Sequence, residues 1–294
     1  MRVKIVAVLF LLTANLSAQD HTQKIVDCEQ LLSWMTAGVP NQRISRLVRE
    51  RGTNFHINSD ITQLLSSAGT GGDVPNQWAR ANVVGRKASC PADLLQAAHL
   101  VHQKNFDEAQ TIVEKRLAAE PDNADLHMAL AYIRLEQGDL DEAFDGYSDA
   151  KDLDATFPEI HNGLSYIFYR SNDAENAIAE ARTALSIDPK NAEAYRYLAL
   201  GHYLNENYPA ALHAVQESLT RDPNCAETFY DKGLIQVAQQ NLAGSAESYQ
   251  RALQLNPGLI EAQAGLRLVR REIQQPTAAL RGPRKSQSNT AQRQ

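Results

Sequence analysis

A repeat of 34 residues constrains this chain more than any other feature of it. Pro121, Pro189, Pro223 and Pro257 stand 68, 34 and 34 residues apart, and halving the first interval lands on Ala155. Twelve residues before each of these positions sits a small side chain: Ala109, Ala143, Ala177, Ala211 and Ser245. Ten residues after come Ala131, Ser165, Ala199 and Gly233, with Leu130, Leu164 and Leu198 just ahead of the first three. Small residues at fixed offsets let two helices approach closely. Gly138-Asp139, Asn172-Asp173, Glu206-Asn207 and Gln240-Asn241 mark a turn in each unit, and Glu108, Glu142, Asn176, Ala210 and Gly244 are expected in the loop between its helices. Each unit thus reads helix, turn, helix, Pro-containing turn. Alanine, leucine and acidic residues are frequent and favour helix. One helical pair cannot bury its apolar face alone, but stacked neighbours can, and about three repeats suffice. The expected fold is an all-α solenoid.

These residues resemble the tetratricopeptide repeat, over units 90–123, 124–157, 158–191, 192–225 and 226–259. Arg134, His202 and Gln236 stand where that family has a large apolar residue or Tyr, and Lys232 where it has Leu. The resemblance implies a superhelix whose concave face is lined by the first helix of each pair. Met128, Tyr132, Asn162, Tyr166, Tyr169, Arg170, Arg196, Tyr203, Tyr230 and Leu234 are the groove residues so implied. They include five of the ten tyrosines, and interfaces are enriched in Tyr and Arg. The partner implied is a protein, offering a peptide or helix to the groove. The family's chaperone-tail clamp is absent: Leu94, Ala98, Ala129, Glu193 and Tyr197 stand at the matching positions.

The two ends differ from the array. Arg2, Lys4, the apolar run Ile5–Leu12 and the small Ala18 have the form of a secretory leader over 1–18. The apolar run is about half of the roughly 20 residues that span a membrane. A periplasmic or secreted location is expected. Residues 260–275 are expected to be an amphipathic capping helix with Arg267, Arg270 and Arg271 on its polar side, and 276–294 to be disordered. The net charge of −6 conceals an asymmetry. Residues 90–259 carry 12 basic and 27 acidic residues, a balance of −15. Such a surface repels a nucleic-acid backbone, and serves either solubility or a preference for basic partners.

Residues 19–75 read as a small helical module, with helices near 25–36, 42–51 and 60–68, followed by a linker over 76–89. Ala37–Val48 looks like the turn and second helix of a helix-turn-helix. That motif needs a small residue four before Gly38, where Trp34 stands. The module is read as a docking or packing element, with a DNA-linked regulator as the alternative. Cys28, Cys90 and Cys225 fit no metal motif. They leave two readings open: a Cys28–Cys90 disulfide, or three isolated, partly buried thiols.

No catalytic constellation stands out. Gly69-Thr70-Gly71-Gly72 lacks the Lys-Ser/Thr of a phosphate loop. His99 and His102 share a helix face without a third ligand, and His127 and His161 recur at one repeat offset as packing residues. The expectation is a non-catalytic scaffold or adaptor with no cofactor or metal. An accessory subunit of an enzyme complex is a further alternative.

Overall fold

The computed structural model describes residues 25–55, 59–67, 69–70, 78, 83 and 90–274. The expected leader at 1–18 and the expected disordered tail at 276–294 lie outside them, as does most of the expected linker. Among the described residues there are fourteen α-helices and no β-strand. Three precede the array: α1 (Cys28–Thr36), α2 (Asn41–Arg51) and α3 (Ser59–Ser67). Five antiparallel pairs follow: α4 (Ala92–His102) with α5 (Phe106–Ala119), α6 (Ala124–Gln137) with α7 (Leu140–Leu153), and α8 (Pro158–Arg170) with α9 (Ala174–Ile187). The last two are α10 (Ala192–Leu204) with α11 (Tyr208–Arg221), and α12 (Ala226–Ala238) with α13 (Leu242–Leu255). A single helix, α14 (Ile260–Gln274), closes the stack.

The period is visible in the backbone. Lys104, Asn172, Glu206 and Gln240 have φ between 54° and 60°, and Gly138 has 97°. These five residues are 34 apart and form the turn inside each pair. Only Gly138 adopts this left-handed backbone without a Cβ penalty; the others each accept roughly 1–2 kcal/mol of strain. The start of the second helix follows at once, capped by side chains such as Asp173, Asn207 and Asn241 on the third residue's amide. Glu108, Glu142, Asn176, Ala210 and Gly244, expected in the loop, therefore lie in the first turn of the second helix. The turn is two or three residues long and ends just before them.

The recurring small residues do set the helix spacing. Ala109, Ala143, Ala177, Ala211 and Ser245 have no exposed surface, and neither do Ala131, Ser165 and Ala199. At Gly233 a Cβ would come within 2.4 Å of the Tyr249 ring, and at Gly163 within 2.3 Å of the Tyr147 ring. Each glycine is the floor on which the tyrosine of its pair partner or predecessor rests. His127 and His161 serve the turns between pairs. Their Nε2 atoms lie 2.8 Å from the Pro121 carbonyl and 3.0 Å from the Ala155 carbonyl, each six residues back, and Gln263 makes the same contact to Pro257.

Residues 25–55 do not stand ahead of the array as a separate body. Helix α1 packs on α4 and α6, the first helices of the first two pairs. Val26, Leu31, Leu32, Trp34, Ile44, Val48 and Phe55 belong to the same hydrophobic core as Leu94, Met128, Ala129, Phe157 and Ile167. Trp78 returns from the segment before α4 and donates its indole N–H to Ser45 Oγ at 2.7 Å. Cys28 and Cys90 form a disulfide, with Cα atoms 5.1 Å apart, so the bridged reading holds; Cys225 is free.

Candidate partner-binding groove

The face lined by α4, α6, α8, α10, α12 and α14 is the one on which the implied groove residues lie. Its two halves are in different states. Over the first two pairs and the start of the third it is filled by α1, the turn after it and α2.

Trp34 anchors the filling. Its side chain is fully buried, its ring stacks on Phe157 with centroids 5.1 Å apart, and its indole N–H donates to Asp125 Oδ1 at 2.8 Å. Gln30 donates to the other Asp125 oxygen at 3.1 Å. Gly38, at φ 68°, lies flat on the Tyr132 ring, where a Cβ would come within 2.4 Å of Cζ. Helix α2 then presents arginines to the third pair. Arg43 donates through Nε to Glu159 Oε1 at 2.8 Å and sits 3.2 Å from Asp188, while Arg46 forks onto Asp188 through both terminal nitrogens. Both Arg43 and Glu159 side chains are nearly enclosed, at 12 % and 6 % exposure. Such charge-assisted pairs are stronger than neutral hydrogen bonds.

This overturns part of the groove expected from sequence. Met128 is 1 % exposed and lies in the core shared with α1; Tyr132 is covered by the Gly38 turn; Asn162 is 2 % exposed. Three of the ten residues are thus unavailable: α1 and the turn after it cover Met128 and Tyr132, and Asn162 is enclosed where it donates to Glu193 of the array. Two of the arginines in the helix-turn-helix-like segment, Arg43 and Arg46, are likewise committed to groove carboxylates.

The other seven line the remaining half. Tyr166 stacks against Tyr169 and Tyr197, with centroids at 6.1 and 5.5 Å, and Arg170 donates to the Tyr166 hydroxyl at 3.3 Å. Arg196 lies over the Tyr197 ring at 4.6 Å and pairs with Asp231 at 3.3 Å. Tyr197 in turn donates to Glu193 at 3.0 Å, and Asn162 to the same carboxylate at 3.4 Å. Arg196 is therefore a structural tie between the fourth and fifth pairs rather than a free cation. Burial pushes the Asp231 carboxyl up to about 6 against the pull of Arg196, and pushes the Tyr169 hydroxyl up to about 12. Tyr203, Tyr230 and Leu234 are half-buried, each with part of its side chain reachable.

Exposure rises along this half. Leu200, Leu234 and Leu268 occupy one register position in successive first helices. The first is 2 % exposed, the second half-buried and the third 67 % exposed. The neighbouring Val237 is 38 % exposed. Helix α14 buries Ala262, Leu266 and Val269 and leaves Ile260, Leu268 and Ile273 in the open. It covers the end of the core, and its outward side is not purely polar.

A cleft of about 990 Å³ opens where the two halves meet, between α2 and the start of α10 and α12. Glu159, Asn191, Glu193, Arg196, Arg221 and Glu227 are among its walls. Sequence reasoning missed Asp125, Glu159 and Asp188 as recognition groups. For Asp125 and Glu159 the signal was an acid at the second position of each first helix, which also favours the helix dipole and so did not stand out.

Tetratricopeptide-repeat family models match residues 100–165, 162–224 and 198–260, which together span more than half of the 294-residue chain. No curated protein sequence matches it. Among solved structures, the chain is similar to TTC0263, a thermophilic tetratricopeptide-repeat protein of Thermus thermophilus, with a TM-score of 0.55 at 17 % identity over 60 % of this chain and 97 % of that one. Other similar structures are MamA (TM-score 0.44, 19 % identity, 55 % of this chain and 94 % of that one) and YrrB, described as having an unusual peptide-binding site (0.42, 16 %, 58 % and 88 %). The repeat period, the paired helices and the family match lead to one conclusion: this chain belongs to the tetratricopeptide-repeat family.

Proposed function

We propose that this protein is an exported, non-catalytic scaffold that holds a segment of a partner protein in the second half of its groove, between α8 and α14. The observation that carries this reading is the division of the groove. The front half is filled by the chain's own α1 and α2, whereas Tyr203, Tyr230, Leu234, Val237 and Leu268 remain reachable on the same face. Aromatic residues that combine contact area with a polar tip suit protein recognition. Export is supported by the basic and apolar start of the chain and by the Cys28–Cys90 disulfide, since disulfides persist in oxidising compartments. Envelope assembly or secretion machinery is the setting in which we place it.

Photo-cross-linkers introduced at Tyr203 and Leu234 of the full-length protein, in cells that express it, test the reading. A discrete partner captured from both positions, and not from Leu153 or Ile187 on second helices, is the expected result. Capture from all four positions alike, or from none, rejects the groove as the working surface.

A further inference from the structure

Each first helix from α6 onward carries an acid at its second position: Asp125, Glu159, Glu193, Glu227 and Glu261. They form a row along one edge of the groove, 34 residues apart in the chain. The chain's own segment has already read the first two members, with Trp34 and Gln30 on Asp125 and Arg43 on Glu159. The third, Glu193, is satisfied within the array by Tyr197 and Asn162. The last two are exposed, and the hydrogen bond that reaches Glu227 is a weak one from the Cys225 thiol at 3.5 Å. Four of the six cations on the cleft wall are committed elsewhere: Arg196 to Asp231, Arg221 to Glu217, and Arg43 and Arg46 to Glu159 and Asp188.

We infer that the open half of the groove takes a basic amphipathic helix of a partner protein, which sets Arg or Lys on Glu227 and Glu261 and its apolar face on Leu234, Val237 and Leu268. This rests on the reading of the groove given above and names the chemistry of its occupant. Three observations argue for it beyond the acidic row. The surface continues an interface already made: α2, with Ile44, Leu47 and Val48 buried on one side and Arg43 and Arg46 on another, ends at the edge of the cleft. Leu234 and Leu268 follow Glu227 and Glu261 by seven residues, two helical turns, so each exposed carboxylate shares a helix face with a reachable leucine. And the cleft wall holds unmet polar atoms. Asn191, 5 % exposed, has no acceptor for its side-chain amide, and the second carboxylate oxygen of Glu159, 7 % exposed, has no donor. Buried groups of that kind are costly unless something pairs with them.

The test uses a labelled peptide of residues 40–53, the sequence of α2 and its flanks, as the probe. In the full-length protein the native α2 occupies its own site, so the open half is the place left for a second copy of that chemistry. Fluorescence anisotropy should show saturable binding that weakens as salt rises. Glu227→Lys/Glu261→Lys should weaken it by about tenfold or more, since each exchange replaces attraction by repulsion. Glu175→Lys/Glu247→Lys, the same charge change on second helices, should leave it within about twofold. A peptide with its arginines replaced by Glu should not bind. Equal binding by the parent and the Glu227→Lys/Glu261→Lys variant overturns the inference. If Leu234→Asp/Leu268→Asp alone abolishes binding while the charge variant keeps it, the groove remains the partner site and its basic preference falls. Binding that appears only after removal of residues 276–294 gives the face to the chain's own basic tail. Self-association through Leu268 without peptide binding gives it to a second copy. Either of these also overturns the inference.

Discussion

The front and back of this groove are built from the same repeat and end in opposite states. From α1 to α8 the first-helix face, the segment that fills it and the second helices behind it form one continuous core, running from Val26 to Ile167. Behind that, the packing divides into three smaller clusters, around Leu200, around Ile235 and around Tyr249. The front is closed by a tryptophan, a glycine laid on a tyrosine, two arginines and a disulfide. The back keeps tyrosines and leucines within reach of solvent. A repeat therefore supplies a surface, and what becomes of that surface depends on what else the chain brings to it.

Trp34 is where the difference between the two halves is most exposed to mutation. Trp34→Ala removes a fully buried ring and its bond to Asp125, and should cost about 4 kcal/mol. Urea denaturation would measure it, with hydrogen exchange placing the loss in α1, α2, α4 and α6. A cost no larger than that of Leu234→Ala would erase the distinction between the halves. Arg43→Ala should follow at about 3 kcal/mol, because it leaves the enclosed Glu159 carboxylate without its cation. Arg43→Ala/Glu159→Gln should recover part of that loss, and no recovery would show that the pair is not the cause. Removing the disulfide by Cys28→Ser/Cys90→Ser should cost about 2–3 kcal/mol, below the loop-closure ceiling of about 4 for a separation of 62 residues. Thermal melts in the absence of reductant would show it.

The back half should respond to pH instead. The Asp231 carboxyl is raised from 3.8 to about 6, chiefly by burial. A carboxyl raised in the folded state binds its proton more readily there than in the unfolded chain, so its contribution is greatest below pH 4 and is lost as pH rises through 6. The parent should thus gain on the order of 2 kcal/mol relative to Asp231→Asn between pH 7 and pH 4. Parallel stability profiles for the two proteins would refute this. Tyr203→Ala should have the smallest effect on stability, under about 1 kcal/mol, because its ring is only half-buried. Loss of cross-linked partner without loss of the melt is the expected signature; a large destabilisation would make Tyr203 a core residue.

The helical pairs were legible because their determinants are local and recur. A small residue at Ala143 or Ala177 means the same thing in each unit, and so does the turn at Asn172 or Gln240. The turn's length was misjudged because the left-handed residue before each second helix is Lys, Asn, Glu or Gln in four of five units, and only Gly138 announces its backbone. Register alone puts Tyr166, Leu200, Leu234 and Leu268 on one face of successive first helices. Met128 and Tyr132 lie on the first-helix face, yet nothing in their own sequence says that α1 and the turn after it lie over them. The Cys28–Cys90 pairing stayed open for the same reason.

The all-α class, the 34-residue stack and the face on which side chains gather each follow from short-range periodicity that stacking merely propagates. It took the folded chain to place its own first helices on half of this face, to set Arg43 and Arg46 on Glu159 and Asp188, and to leave Glu227, Glu261 and Leu268 exposed. Those outcomes depend on contacts between residues about 90 to 140 positions apart. No periodicity links such residues, and only the summed burial and charge pairing of the folded chain selects among the surfaces on which α1 and α2 could have come to rest.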